Sequence, residues 1–258
     1  FYTITVSACT DGSTVRLLFN PSNVRDAKNN PSTDSNTYAN DSALAGTSVL
    51  VDLTAPTVTF AAGQASPTNA SSLTYTANFS EAVTGITAAN FTVTGTSCVK
   101  TLATNSSSSY TLTLNGCAGS QTVTVAMTNT SITDLATNAL GAISPASIAI
   151  VVDRTAPTMS WGTNPSGVDG SGNLVYRLNS NENIIGLTAS DFTNAGNALG
   201  CTFTVATVTA DTAWNITVSN CGDGTVIPTL AANSLSDPAQ NIAPATTLAP
   251  ASLMVERV

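Results

Sequence analysis

The chain has 258 residues, of which 9% are charged, with a formal net charge of −8 and no histidine. This length holds two domains of ordinary size, or somewhat more. The negative balance excludes a surface built to neutralise phosphates, so we expect no nucleic-acid partner. Without histidine the commonest general base and zinc ligand are missing, and we expect no enzyme. No apolar stretch reaches the ~18 residues that cross a bilayer, so we expect no membrane span in this segment.

A repeated phrase marks the domain organisation. The sequence VDLTAPT at residues 51–57 returns as VDRTAPT at residues 152–158, a spacing of about 100 residues that fits one small all-β domain. We therefore predict that residues 1–53 form the C-terminal half of a repeat, and that residues 54–153 and 154–258 form complete repeats. Because the front half of the first repeat is not present, we expect the chain to be a piece of a longer array.

Recurring segments predict short strands. An alternating segment, a cysteine, a Gly-containing turn, a second alternating segment and an aspartate occur three times, at residues 2–30, 110–138 and 214–241. About seven such short segments per repeat, separated by Gly, Asn and Ser, favour an antiparallel β-sandwich.

The front halves of the two complete repeats follow the same pattern. Apolar residues alternate with polar ones, as a strand with one buried face requires, at Leu73, Tyr75, Ala77 and Phe79. The segments TAAN and TASD predict short helical turns just before Phe91 and Phe192.

The cysteines recur at two positions of the repeat. We predict disulfides that join Cys98 to Cys117 and Cys201 to Cys221, because each pair occupies the same two repeat positions. Cys9 aligns with Cys117 and Cys221, so we expect its partner to lie outside this chain segment. One such pair per domain is typical of secreted sandwiches. The alternative is a pair of buried reduced thiols. Zinc is disfavoured, because two cysteines without histidine cannot complete a tetrahedral site.

These motifs resemble a known family. The succession of SPTNASSLTYTANFSEAVTG, ITDLATN and VVDRTAPT is similar to the bacterial Ig-like repeats found in tandem in large surface and adhesin-type proteins. The resemblance implies an all-β chain of tandem Ig-like antiparallel β-sandwich domains, exported to the extracellular space or the bacterial cell surface. It also implies a spacer, fibre or adhesive role, although a fold alone does not fix a function.

The junction phrases predict stiff connections. Pro56 and Pro157 restrict their own backbones and favour extended conformations at the residues before them. A short linker that contains proline gives a semi-rigid joint, so we expect the domains to form an elongated rod.

Calcium is a candidate cofactor at the junctions. Its possible ligands recur from repeat to repeat: Asp52, Glu81, Asp134, Asn138, Asp153, Glu182, Asp237 and Asn241. Some related Ig-like repeats stiffen their joints with calcium, a hard cation that takes six to eight oxygen ligands. Two features count against calcium. Asn29, Thr137 and Gln240 replace the glycine of the family's D-x-A-G-N turn, and no junction contains three acids close together in sequence. The alternative is that these aspartates accept backbone hydrogen bonds in Asx-type turns.

Three functions remain open. The first is a structural segment of a secreted or cell-surface fibre or adhesin-type protein, acting as spacer or filament, with neighbouring repeats or identical chains as partners. The second is a polymerising subunit whose half domain is completed by a neighbour's strands. The third is an accessory carbohydrate-binding module. Glu81 and Glu182 have no second recurring acid beside them for glycoside hydrolysis, and this again disfavours an enzyme.

Overall fold

The structure is a computed structural model that describes residues 3–16, 25–30, 48–166 and 172–256. Within these residues the chain is nearly all β, which confirms the predicted all-β class. Strand β1 (Thr14–Arg16) pairs antiparallel with β2 (Ser48–Leu50). Parts of the predicted half repeat, residues 17–24 and 31–47, lie outside the described residues.

Two sheets enclose a first core. Its strands are β3 (Val58–Ala62), β4 (Ser72–Phe79), β5 (Val83–Thr84), β6 (Phe91–Thr94), β7 (Val99–Ser106), β8 (Ser109–Asn115), β9 (Gln121–Met127), β10 (Thr133–Asp134), β11 (Ile143–Ser144) and β12 (Ser147–Val152). One sheet has the order β11-β3-β4-β8-β7 and the other β12-β9-β6, while β5 and β10 form a small pair. All pairings are antiparallel except that of β3 with β11.

Alternation in β4 explains how this core forms. Leu73, Tyr75, Ala77 and Phe79 are all buried, as predicted, and Tyr75 lies opposite Leu112 of β8. Inward residues of both sheets belong to one cluster of buried side chains. Burying a large apolar side chain stabilises a fold by about 1.5–3 kcal/mol, so the alternating face fixes the register of the strand.

A second core follows in the chain. Its strands are β13 (Met159–Trp161), β14 (Leu174–Ser180), β15 (Phe192–Asn194), β16 (Thr202–Thr209), β17 (Ala213–Ser219), β18 (Gly224–Val226), β19 (Pro228–Leu230), β20 (Leu235–Ser236), β21 (Ile242–Ala243) and β22 (Leu253–Val255). One sheet has the order β13-β14-β17-β16, and β15 pairs with β19, β18 with β22, and β20 with β21. These strands surround a separate cluster of buried residues.

Proline accounts for one difference between the two cores. The single strand β9 of the first core corresponds to β18 and β19, which are separated at Ile227. Pro228 has no N–H to donate to a neighbouring strand. The N–H of Ile227 instead donates to Oδ1 of Asn194, at 2.7 Å.

The two predicted helical turns are present as short 3-10 helices, Ala88–Asn90 and Ala189–Asp191. Each is closed at its start by a side chain three residues later. The backbone N–H of Thr87 donates to Oδ1 of Asn90 at 2.8 Å, and that of Thr188 donates to Oδ2 of Asp191 at 2.7 Å. None of the described helices is long and apolar enough to cross a membrane.

Two disulfides join the predicted cysteine pairs. The S–S distance is 2.14 Å between Cys98 and Cys117 and 2.06 Å between Cys201 and Cys221. Cys9 is free and half-buried. Each disulfide links the segment before one edge strand, β7 or β16, to the turn that follows the neighbouring strand, β8 or β17.

Candidate metal centres at two joints

Two clusters of three carboxylates lie at equivalent places in the chain. The first acid cluster is Asp52, Glu81 and Asp134, and the second acid cluster is Asp153, Glu182 and Asp237. Within each cluster, one carboxylate oxygen from every residue lies within 4.8 Å of the others. Each cluster combines the acid at the end of one predicted repeat with two acids of the next repeat. We call these places the first joint and the second joint.

A five-residue turn holds the most buried acid of each cluster. Asp134 is 2% exposed and Asp237 is 1% exposed. The backbone N–H of Asn138 donates to Oδ1 of Asp134, and its side-chain amide donates to Oδ2, both at 2.8 Å. Asn241 makes the same two bonds to Asp237, also at 2.8 Å. The Asx-type hydrogen bonds that the sequence suggested are therefore present in both turns.

The same turn occurs a third time, at Asp26. Asn30 donates its backbone N–H to Oδ1 of Asp26 at 2.8 Å and its side-chain amide to Oδ2 at 2.9 Å. In all three turns the residue before the asparagine has a left-handed backbone, with φ of 66° at Asn29, 74° at Thr137 and 74° at Gln240. The bacterial Ig-like repeats that the sequence resembles have glycine at this position. A left-handed backbone costs a residue with a side chain about 1–2 kcal/mol, and glycine avoids this cost.

The asparagine of each turn also brings the linker acid to the cluster. The side-chain amide of Asn138 donates to the carbonyl oxygen of Asp52, and that of Asn241 to the carbonyl oxygen of Asp153, both at 3.0 Å. These bonds fasten the end of one predicted repeat to a turn in the back half of the next. The two asparagines thus contribute their amide nitrogens, and they lie beside the acids.

The glutamates complete the clusters without hydrogen-bonding partners. The described residues give no hydrogen bond to the carboxylate of Glu81 or Glu182, and Oε1 of Glu182 is fully buried. Burial raises the pKa of Glu182, and the nearby charges of Asp153 and Asp237 raise that pKa further. Burial and neighbouring acids, including those of its own cluster, likewise raise the pKa of Glu81. Both clusters therefore hold mutually repelling charges.

The first joint has an additional carboxylate. Oδ1 of Asp11 accepts the backbone N–H of Leu53 at 2.7 Å, and the charge of Asp11 contributes to the raised pKa of Glu81. At the second joint a neutral side chain accepts the corresponding hydrogen bond from the linker. Oγ of Ser120 accepts the backbone N–H of Arg154 at 2.9 Å. The two joints therefore share one architecture but differ in local charge.

Three converging carboxylates suit a hard cation. Calcium prefers six to eight oxygen ligands from carboxylates, carbonyls and water, and tolerates irregular geometry. Oε1 of Glu182 is a buried acceptor that has no donor, so a cation at the second cluster would satisfy it. The clusters contain no cysteine and the chain has no histidine, which makes softer metals poorer matches.

The two predicted junction prolines lie inside the folded structure. Pro56 and Pro157 are both buried, and the carbonyl oxygen of Pro56 accepts the N–H of Gly141 at 3.1 Å. Asp11 and Asn69 also contact the joints, although neither was among the residues predicted from the sequence. Asp11 follows Cys9 at the same spacing as Asp223 follows Cys221, so repetition offered a signal for Asp11. Asn69 has no such counterpart in the second complete repeat.

Comparison with known proteins gives a family model that matches part of the chain, and several solved structures. Residues 52–150 match the family model described as Bacterial Ig-like domain. The solved structure of FdeC, an Escherichia coli adhesin, aligns with 17% sequence identity and a TM-score of 0.35, over 78% of this chain and 62% of that chain. The chain thus spans less than two thirds of that structure. A search of curated proteins finds no match.

Proposed function

We propose that this chain, in which residues 52–150 are a bacterial Ig-like domain, is a spacer segment of an exported surface protein, with successive repeats held end to end. The observation that carries the proposal is the repeated joint. The same three acids and the same asparagine meet at both joints. Because the same connection occurs at both joints, we infer that it fixes the orientation of each repeat relative to the next.

The connection at the second joint is fastened along its length. Only residues 153–158 separate β12 from β13. The N–H of Asp153 donates to the carbonyl oxygen of Thr68 at 2.9 Å, and the N–H of Thr158 donates to Oδ1 of Asn181 at 2.7 Å. The guanidinium of Arg154 donates to the carbonyl oxygens of Ala70 and Cys117. Such a connection transmits orientation, as a spacer requires, because few of its residues are free to rotate.

The disulfides support an exported location. Disulfides persist in oxidising compartments and are rare in the reducing cytosol. Each of the two cores carries one, at the same place in the fold. This placement favours a protein that works outside the cytoplasm, at the bacterial cell surface or beyond it.

Both acid clusters bind calcium under this proposal. The clusters supply three carboxylates each, and a divalent cation would offset the repulsion that raises the pKa values of Glu81 and Glu182. Bound calcium would link the end of one repeat to two segments of the next. Calcium binding therefore stabilises the joint by adding attractions between parts of the chain that otherwise repel each other.

Calorimetric titration tests the calcium proposal. Calcium added to the metal-free chain should give binding with two sites per chain, and Glu81→Gln or Glu182→Gln should each remove one site. Gln is matched to Glu in size, so the variants change charge and leave packing intact. Absence of binding heat at several temperatures, together with unchanged thermal unfolding in calcium and in chelator, would refute the calcium proposal.

Location and shape test the spacer proposal. Antibodies against the folded chain should label intact, unfixed cells of the bacterium that makes the protein. Small-angle X-ray scattering should give a maximum dimension that matches repeats placed end to end. Labelling only after the cells are permeabilised, or a compact particle in solution, would contradict the proposed role.

A further inference from the structure

We infer that the second joint keeps its orientation without any bound cation, because a latch formed by residues 66–70 of one repeat holds the turn at residues 237–241 of the next. Asn69 is the positioning residue of this latch. The inference goes beyond the proposed calcium sites and stands independently of them.

Direct hydrogen bonds form the latch. The backbone N–H of Asn69 donates to the carbonyl oxygen of Ala239 at 3.1 Å. Its side-chain amide donates to the carbonyl oxygen of Gln240 at 2.9 Å. Two donors on one residue thus bind two successive acceptors across the joint. A pair of bonds fixes both the distance and the direction between the two segments, whereas a single bond acts as a pivot.

The burial of Ala239 shows that the latch excludes water. Ala239 is 2% exposed, yet it belongs to neither of the two core clusters. Its counterpart at the first joint, Ala136, is exposed, and the predicted half repeat of residues 1–53 contains no segment equivalent to residues 66–70 that could cover it. No described residue donates a hydrogen bond to the carbonyl oxygen of Ala136 or Thr137. The same turn is therefore covered at the second joint, where residues 66–70 meet it.

The latch also holds both sides of the second acid cluster. Thr68 receives the N–H of Asp153 at its carbonyl oxygen and donates its own N–H to the carbonyl oxygen of Val151, both at 2.9 Å. Its neighbour Asn69 holds the turn that begins at Asp237. One short loop therefore positions the linker acid and the turn acid together. The acids stay close despite their repulsion because the backbone on each side is tied to this loop.

Spin-label distances measured in chelator test the latch. Labels at Ala103→Cys and Ala206→Cys, on a Cys9→Ser background, place one probe on the exposed face of each core. The unmodified joint should give a narrow distance distribution without calcium. Ala239→Arg should broaden it at least twofold, because the long side chain forces residues 66–70 away from the turn. Ala136→Arg is the matched control at the exposed equivalent position and should leave the distribution unchanged.

Asn69→Ala provides a milder second variant. It removes only the bond to Gln240 and should broaden the distribution partially, while far-ultraviolet circular dichroism, which reports the strands of both repeats, shows that the chain remains folded. A broad distribution for the unmodified joint in chelator, or equal widths for Ala239→Arg and Ala136→Arg, would overturn the inference. Because no calcium is present, these results are separate from the outcome of the calcium titration.

Discussion

Replacing Glu182 by glutamine should stabilise the calcium-free chain and destabilise the calcium-bound chain relative to wild type. Glu182 lies beside Asp153 and Asp237, with one carboxylate oxygen within 4.8 Å of an oxygen of each. Glutamine retains the shape of the side chain, loses the charge and gains an amide that can donate to the neighbouring carboxylates. The substitution therefore removes two repulsive pairs and one cation ligand in a single step.

The expected magnitude follows from these distances. Two like charges about 4.8 Å apart repel by ~0.9 kcal/mol in a medium with the dielectric constant of water. Two such pairs, partly screened by solvent, give an expected gain of about 1–2 kcal/mol for Glu182→Gln in chelator. Calcium at about 100 times its dissociation constant stabilises the folded state by ~2.7 kcal/mol for each intact site. Wild type should therefore be the more stable protein in calcium.

Urea unfolding monitored by tryptophan fluorescence measures this change where it occurs. The chain has two tryptophans, and Trp161 and Trp214 both pack in the second core. Their signal therefore reports the unfolding of the repeat that carries Glu182. Glu81→Gln is the matched control, because it makes the same change at the other joint and should leave this transition in place.

Two results would refute the reasoning. If Glu182→Gln lowers stability in chelator, the glutamate makes a favourable contact and the cluster is not repulsive. If calcium raises the stability of wild type and Glu182→Gln equally, the second acid cluster is not where calcium acts.

The remaining predictions address charge, backbone and covalent structure. The pKa of Glu182 is raised above its ordinary value of 4.5, so proton uptake by Glu182 stabilises the folded state fully below pH 4.5, and this contribution is lost as the pH rises through the raised pKa. Urea unfolding in chelator should show wild type losing stability relative to Glu182→Gln as the pH increases. Thr137→Gly should raise stability by about 0.5–1 kcal/mol in scanning calorimetry, because Thr137 has φ 74°, and an unchanged transition would contradict the assumed strain. Asp11→Asn on a Glu182→Gln background should weaken calcium binding at the first joint about two- to fivefold in a calorimetric titration, and unchanged affinity would show that Asp11 is too well screened to act. Reducing the disulfide between Cys201 and Cys221, 20 residues apart, should lower the free energy of unfolding of the second core by about 3 kcal/mol. The same tryptophan fluorescence measures this change, and an unchanged free energy would show that other contacts already restrain the loop.

The strands could be predicted from the sequence because their signal is local. Leu73, Tyr75, Ala77 and Phe79 alternate within one segment, and burial on one face follows directly. The short turn before Phe91 was predicted in the same way, from adjacent residues. The break between β18 and β19 at Pro228 also has a local cause, because proline has no backbone N–H to donate to a neighbouring strand.

The joints could be predicted only in part because their residues are distant in sequence. The absence of three neighbouring acids was a reason to doubt a metal site, yet Asp52, Glu81 and Asp134 meet in space from three separate segments. Repetition identified them as candidates, and only the fold shows their proximity. Asn69 contacts a turn more than a hundred residues away, and no pattern within its own segment indicates that contact.

The division of each acid cluster between two repeats also affects how an array of such repeats can be divided. Asp153 precedes the predicted boundary between two repeats, while Glu182 and Asp237 follow it. The predicted repeat from residue 154 onward contains only two of the three acids. A segment that carries the complete cluster has to begin at least one residue before that predicted boundary. The number of clusters in an array would accordingly follow the number of connections between repeats, so that a single isolated repeat would show none of the cation dependence expected of the array.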